Sequence, residues 1–371
     1  MKTVTLCATA DLHLGMRFSS YPGIQKPLIR ARFDALQNVV NRANRDGCSL
    51  LIIAGDLFNH INVPASEIET TASIFAGFEG ECIAVLPGNH DYYGGKRTGI
   101  WDSLSHSGVD TLLLLTEPRP YSLEHYHLPV ILYPGPCTSK HSAQNAVSWI
   151  GPIQNDPEML HIGVAHGSIA GISPDMNSEY YPMEREQLRR AGLDLWIIGH
   201  THVPQPSEGG VNPDIIIPGT PEADGFDHSL EGGACLVRWK ENNDIEVERF
   251  QTGTFRFIRI KKEVHSTDEL QHTVDELLKL SGPAVLLQAF LRGTLPKGDL
   301  SLISDEIGRF ENRFFYTDIN TDGIKPRITS DEIGDEFREG SFPYLLLHRF
   351  AQNGDSEALQ LSYRLLEEMK E

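Results

Sequence analysis

The sequence predicts a layered α/β fold followed by a smaller α+β domain, and three observations carry that prediction. Over the first two-thirds of the chain, short apolar runs of strand length alternate with helix-patterned segments. After Ile217 the pattern changes to alternating strands joined by polar turns. Beyond residue 255 helical and strand-like segments alternate again in a shorter block. Two domains are therefore expected, residues 1–255 and 256–371, and 371 residues are enough to give the first a sizeable core.

Each element has a local reason. The runs Val4–Ala8, Leu50–Ala54, Cys82–Leu86, Val130–Tyr133, His161–Ala165, Leu195–Ile198 and Ile215–Ile217 are short, apolar and bounded by turn residues, as buried strands are. Between the first two, Ile29, Phe33, Leu36, Val39, Val40 and Ala43 recur at helical spacing and predict one buried helix face. ACLVRW, the turn KENND, IEVERF and FRFIRI read as an antiparallel meander. In the second block, residues 267–280 and 300–309 are helix-patterned, residues 284–291 and 314–319 strand-like, and the end is helical.

Composition excludes several classes. No apolar run is long enough to span a membrane, and Asp11 and His13 break the N-terminal apolar stretch too early for a signal peptide. The five cysteines are scattered and show no CxxC spacing, so reduced thiols in a cytoplasmic protein are expected. The formal charge of −19 argues against a simple nucleic-acid binder. A polyanionic substrate would need bound cations or a partner to offset that charge.

The chemistry lies where the strands end. ATADLHLG supplies Asp11 and His13, IIAGDLFN supplies Asp56 and Asn59, and LPGNHD supplies Asn89 and His90. GVAHG adds His166, and IIGHTH adds His200 and His202. In layered α/β folds ligands bind at the carboxyl ends of strands, so these residues are expected on one patch. Asp11, His13, Asp56, Asn89, His166, His200 and His202 form an oxygen and nitrogen ligand set without thiolates. That set suits two divalent ions such as Mn²⁺, Fe²⁺ or Zn²⁺ better than an all-oxygen Ca²⁺ site. Any one motif alone is more often an ordinary turn; the ordered series on successive strand ends is not. The other histidines, His60 and His161 among them, lack such a setting and read as surface or core residues.

DLHLG, GDLFN, GNHD, the HG of GVAHG and GHTH together resemble the calcineurin-like metallophosphoesterase superfamily. Within it the chain is most similar to the SbcD family of DNA-repair nucleases, through Leu14–Gly15 after the first motif, the long insert before GVAHG, and PGTPEADGFDH at 218–228. The resemblance implies a layered α/β/β/α sandwich with a C-terminal α+β capping domain. By the same resemblance Asp11, His13 and His202 would hold one metal, and Asn89, His166 and His200 the other, with Asp56 bridging. His90 would serve the leaving group, and Asn59 stands where the protein-phosphatase branch has an Asp that orients this histidine. Asp91 is expected to be a structural partner in its turn. Mn²⁺ is the first choice of metal, with Fe²⁺ or Zn²⁺ as alternatives.

The activity so implied is manganese-dependent cleavage of DNA ends with an SbcC-like ATPase, in a homodimer formed near Pro64–Phe78 and the segment after GNHD. A small phosphodiester or phosphomonoester, such as a cyclic nucleotide, is the competing substrate class. A non-catalytic scaffold is the third reading, disfavoured because every ligand position is filled. Tyr92, Tyr93, Lys96 and Arg97 could touch nucleic acid or form a surface loop.

Overall fold

The computed structural model describes residues 3–95, 99–154, 156, 158–173, 179–227 and 230–369. Lys96 and Arg97, and His228 at the end of PGTPEADGFDH, lie outside the described residues. The chain divides into two compact units, Met1–Arg256 and Phe257–Glu371.

In the first unit the chain runs β1 (Val4–Thr9), α1 (Gln25–Arg45), β2 (Leu50–Ala54), α2 (Ala65–Phe75), β3 (Cys82–Leu86), α3 (Ile100–Ser105) and β4 (Leu112–Leu114). It continues through β5 (Tyr121–Ser122), β6 (Val130–Gly135), β7 (Leu160–His166), α4 (Arg185–Arg190), β8 (Leu195–Gly199), β9 (Gly209–Val211) and β10 (Ile215–Ile216). β11 (Gly233–Trp239) and β12 (Ile245–Gln251) complete it. The strands form a seven-stranded sheet, ordered β4-β3-β2-β1-β11-β12-β9, and a five-stranded sheet, ordered β10-β8-β7-β6-β5.

Side-chain alternation builds the layers. Successive strand residues face opposite sides. Leu6 and Ala8 of β1, Leu50 and Ile52 of β2, Leu132 of β6, Ile162 of β7 and Ile197 of β8 share one core between the two sheets. Their neighbours Cys7, Leu51 and Ile53 turn outward onto Leu36, Val39 and Val40 of α1, Ala72 of α2 and Leu104 of α3. Ala165, Trp196 and Ile198 pack outward on the second sheet against Leu188 of α4. The result is an α/β/β/α sandwich. Both faces of each central strand are buried, which is why these strands read as continuous apolar runs.

α1 differs from expectation in detail. Its buried face is Leu28, Ala31, Arg32, Ala35, Leu36, Val39, Val40 and Ala43, while Ile29 and Phe33 are only half-buried. The arginine on that face was invisible to a search for apolar spacing.

The second unit has a three-stranded sheet, β13 (Arg256–Val264), β14 (Gly282–Pro296) and β15 (Phe314–Arg327), in that order. α5 (Thr267–Leu278) lays Leu270, Val274 and Leu277 on Leu287, Ala289 and Leu291 of β14. α6 (Leu302–Gly308) precedes β15, which runs parallel to β14. Beyond β15, α7 (Ile333–Glu336), α8 (Phe342–Gln352) and α9 (Ser356–Glu368) close on a small core of their own, with Ile333, Phe337, Leu347, Leu359 and Tyr363. Here the expected meander is corrected: FRFIRI does not pair with β12 but opens this second sheet. The turn between them is tied elsewhere, because Thr252 N and Gly253 N donate to Gly232 O, and Thr254 N and Phe255 N donate to Glu222.

Among the described residues no helix is long and apolar enough to cross a membrane. The five cysteines are free and buried.

The layer assignment has a direct test on β6. Leu132 faces the shared core, whereas Ile131 is half-buried. Leu132→Ala should lower the unfolding free energy by about 2–5 kcal/mol in urea denaturation, and Ile131→Ala by clearly less. Equal losses would show that the face is misassigned.

Candidate metal centre

Five strands of the sandwich deliver polar residues to one edge. β1, β2 and β3 from the first sheet lead into Asp11 and His13, Asp56, and Asn89 and His90. β7 ends on His166, and β8 leads into His200 and His202. Asp11, His13, Asp56, Asn89 and His166 are all at most 3% exposed.

The backbone is bent to aim them. Asp11, His13, Asp56 and His200 have φ of 55°, 46°, 51° and 92°, a region that non-glycine residues rarely occupy. Such conformations cost about 1–3 kcal/mol each and persist where surrounding contacts enforce them. Those contacts are present. Asp11 N donates to Gly55 O at 3.1 Å and His13 N to Asp56 O at 2.9 Å. His200 N donates to the Asp11 carboxylate at 3.0 Å, and His90 N to Asp56 Oδ1 at 2.8 Å.

Two glycines make the approach possible. A Cβ on Gly55 would stand 2.1 Å from His166 Nδ1, and one on Gly88 would stand 2.1 Å from Asp56 Oδ1. Any side chain there would push the strand ends apart.

The ligand-type atoms converge. Asp11, His13 and His202 offer atoms within 4.8 Å of one another, as do His13, Asp56 and His90, and Asp11, Asp56 and His166. Asp11, His13 and Asp56 each belong to two of these groups, so the three overlap. Asn89 Oδ1 lies 3.0 Å from His166 Nε2. His200 falls in none of the three groups. Its ring stands edge-on to His166 at 5.5 Å and lies against Tyr180 at 5.0 Å.

The donor set fits cations. His166 Nδ1 lies 2.9 Å from Ala54 O, which can only accept, so Nδ1 carries the hydrogen. In the neutral ring Nε2 is then a bare lone pair, facing Asn89 Oδ1 at 3.0 Å and Asp56 Oδ2 at 3.3 Å. His13 Nε2 and His202 Nε2 face each other at 3.2 Å, and His13 Nδ1 is buried without a partner. One hydrogen can bridge His13 and His202, but the lone pairs of His166 Nε2, Asn89 Oδ1 and Asp56 Oδ2 aimed at one another need positive charge between them. Protein groups alone can supply it only as protons. Burial opposes a charged His166, but Asp56 outweighs it and pushes the imidazole up to about 9. His202 is likewise driven up to about 9 against burial, by its hydrogen bond to Asp224 and by Asp11. Burial works to raise Asp56 as well, yet His166 and His13 hold it below the usual carboxylate range. A divalent ion at either point satisfies the same lone pairs without those protons.

His90 sits at the rim, half-buried, its ring 4.8 Å from that of His13 and nearly perpendicular to it. Its Nδ1 lies 3.2 Å from the backbone carbonyl of Asn59, leaving Nε2 for a substrate. The expectation for Asn59 is corrected here. Its side-chain amide bonds His60 Nε2 at 2.9 Å, not His90. The loop turns residue 59 so that its carbonyl faces the imidazole and its side chain faces solvent. His60, read as background in the sequence, is therefore part of the rim.

Asp91 fastens the turn. Its Oδ1 accepts from Gly88 N at 2.7 Å and its Oδ2 from Phe58 N at 2.9 Å, joining the loops after β3 and β2. Burial, with Asp56 nearby, pushes its carboxyl up to about 8.

Three further residues support the centre, and two of them, Glu222 and Asp224, lie in PGTPEADGFDH, where the sequence assigned them no role. Asp224 Oδ2 accepts from His202 Nδ1 at 2.9 Å. Arg32, fully buried on α1, donates from Nη1 to Leu12 O at 2.6 Å and places Nη2 3.4 Å from Asp224 Oδ2. Glu222 is buried behind them and accepts from Thr254 N and Phe255 N. A charged residue on an otherwise apolar helix face was the one available hint of Arg32.

A sequence profile of calcineurin-like phosphoesterases matches residues 4–204, which span the whole of this edge. The chain belongs to that family. Its relatives include the uncharacterized metallophosphoesterase YhaO of Bacillus subtilis, 25% identical over 310 residues, with 79% of this chain and 73% of YhaO covered. The DNA double-strand break repair protein Mre11 of Methanopyrus kandleri is 25% identical over 228 residues. That match covers 57% of this chain and about half, 48%, of the Mre11 chain. Among solved structures, TT1561 of Thermus thermophilus superposes with a TM-score of 0.40 at 10% identity, over 68% of this chain and 100% of that one.

Glu222 gives the centre's scaffold a pH dependence. Burial raises its carboxyl from 4.5 to about 7. Between those values the folded chain binds more protons than the unfolded one, so stability is full at low pH and falls as pH rises toward 7. Urea denaturation at pH 5 and pH 7.5 should show that loss, and Glu222→Gln should flatten it. A variant with the same slope would remove Glu222 as its source.

Proposed function

We propose that this chain is a dinuclear metal-dependent phosphodiesterase that cleaves DNA ends. The observation that carries the reading is the convergence of Asp11, His13, Asp56, Asn89, His166 and His202 at the strand ends, with the lone pairs of His166 Nε2 and Asn89 Oδ1 facing each other. Asp11, His13 and His202 would hold one ion and Asn89, His166 and His200 the other, with Asp56 shared. Mn²⁺ fits this mixed oxygen and nitrogen set, as do Fe²⁺ and Zn²⁺. Bound there, the ions offset the charge on the phosphate oxygens and lower the pKa of water.

The chain's own residues do the rest. Asp56 would share its carboxylate between the two ions, and its Oδ1 accepts from His90 N. His90, its Nδ1 hydrogen on the Asn59 carbonyl, would turn Nε2 to the departing 3′-oxygen and would donate to it from the doubly protonated ring. Asp91 keeps Asn89 and His90 aimed apart through its two backbone contacts.

DNA as substrate is supported by the SbcD-like motifs and by the likeness to an Mre11 protein. The additional α+β unit after residue 256 also favours a long substrate over a small one. The charge of −19 stands against DNA binding by this chain alone, so an SbcC-like ATPase partner would supply basic surface. A homodimer would use α2 and α3, where Ala65, Ala72, Ser73, Ala76 and Ser103 line an exposed groove of about 490 Å³. The acidic charge also favours the second reading, a small phosphodiester such as a cyclic nucleotide. The expected location is the cytoplasm.

Purified protein with Mn²⁺ should degrade a 3′-labelled duplex, with the ATPase partner present, and should hydrolyse bis(p-nitrophenyl) phosphate. Turnover of the small diester with every DNA end left intact would sink the nuclease reading and keep the phosphoesterase. His90→Ala should lower kcat about 10²–10⁴-fold while Mn²⁺ binding persists. Asp56→Asn should weaken binding of both ions in calorimetry; loss of only one would remove the shared carboxylate.

A further inference from the structure

We propose that Asp224 is a positioning residue that fixes His202 for cation binding, and that the buried Arg32 holds Asp224 in place. The inference rests on the metal-dependent reading above and extends it to two residues to which no motif assigns a role. An ionised carboxylate can only accept, so the 2.9 Å contact places the hydrogen on His202 Nδ1. In the neutral imidazole Nε2 is then the free donor atom. It points at His13 Nε2 at 3.2 Å and toward Asp11 Oδ1 at 3.9 Å, the two other members of its ligand group.

Asp224 is anchored from the helix side. Arg32 Nη2 lies 3.4 Å from Asp224 Oδ2, and Nη1 donates to Leu12 O at 2.6 Å. Leu12 stands between Asp11 and His13, so one guanidinium ties the backbone between two ligands to the carboxylate behind a third. Arg32 is 1% exposed, and the Phe18 ring lies 5.6 Å from its carbon centre. A guanidinium so far from water is costly unless its charge is used in the interior.

The chain side is anchored as well. Thr220 N donates to His202 O at 3.3 Å, and Thr220 Oγ1 lies 3.0 Å from Asp11 O and 2.7 Å from Glu222 O. Thr252 Oγ1 bonds Pro221 O at 2.6 Å. The segment 219–224 is thereby fastened to Asp11 and to His202, the groups whose relative placement matters. His166 has no such carboxylate, only the neutral Ala54 carbonyl behind its Nδ1. The effect of Asp224 is therefore confined to one of the two ion positions.

Mn²⁺ titration of the metal-stripped full chain, read by calorimetry and by the spectrum of bound Mn²⁺, tests this. Outer carboxylates behind metal-binding histidines typically change affinity 10–100-fold. Asp224→Asn should weaken one ion by that factor and leave the other within about twofold. Two unchanged affinities, or both lost together in a folded variant, would overturn the proposal. A second measurement needs no variant: nitrogen NMR of metal-stripped protein, at a pH where His202 is neutral, should show hydrogen on Nδ1. Hydrogen on Nε2 would overturn it independently. Absence of any Mn²⁺ binding by the native chain would count against the metal reading itself, while the NMR result would still decide the tautomer.

Discussion

Buried acids and imidazoles crowded at one edge of the sandwich are the constraint to which the rest of the first unit answers. Asp11 and Asp56 are withdrawn from water, yet one carboxylate is pushed up by burial and the other pulled down by His166 and His13. Two like charges in such surroundings are tolerable only with positive charge among them. The imidazoles can provide it as protons, or ions can provide it directly. Folding and cation binding are therefore coupled through the same atoms.

The sandwich is shaped to bear that load. Alternation along β1, β2, β7 and β8 fills the space between the sheets with apolar side chains, and the polar groups of the centre gather beyond the strand ends. Gly55 lacks the Cβ that would strike His166 across the two sheets, and Gly88 lacks the one that would strike Asp56 after the neighbouring strand of the same sheet. Left-handed backbone at Asp11, His13, Asp56 and His200 then turns their side chains inward, and the hydrogen bonds His200 N–Asp11 and His90 N–Asp56 keep each turn from relaxing. Strain and packing are thus two sides of one arrangement: the core fixes the strands firmly enough for the loops to be bent.

Much of this edge was legible in the sequence because buried parallel strands are self-announcing. A run such as LLIIA or CIAVL has no polar residue until it leaves the core, so the first Asp, Asn or His after it marks the rim. What could not be read was set by contacts between distant segments. Arg32 and Asp224 are 192 positions apart and meet only because α1 packs behind the first loop. His60 became a rim residue through a turn whose geometry places side chain and carbonyl on opposite sides. FRFIRI looked like a third meander strand, since alternation says which face a strand buries and nothing about which strand it pairs with. The Glu222 contacts to Thr254 and Phe255 take the chain away before a hairpin can close.

Three consecutive residues show how finely such an edge divides its work. Asn89 points its oxygen at His166, His90 turns to the rim, and Asp91 points back to hold the turn. Adjacent extended residues diverge by geometry, so one short loop can serve a ligand position, a substrate-facing position and a structural position. The partner of His90 completes that logic. A backbone carbonyl orients the imidazole as surely as a side chain does, adds no charge, and is supplied by any amino acid at position 59. Orientation of His90 therefore depends on the path of the loop after β2. That path is set by Asp91 accepting from Phe58 N, and not by the identity of Asn59.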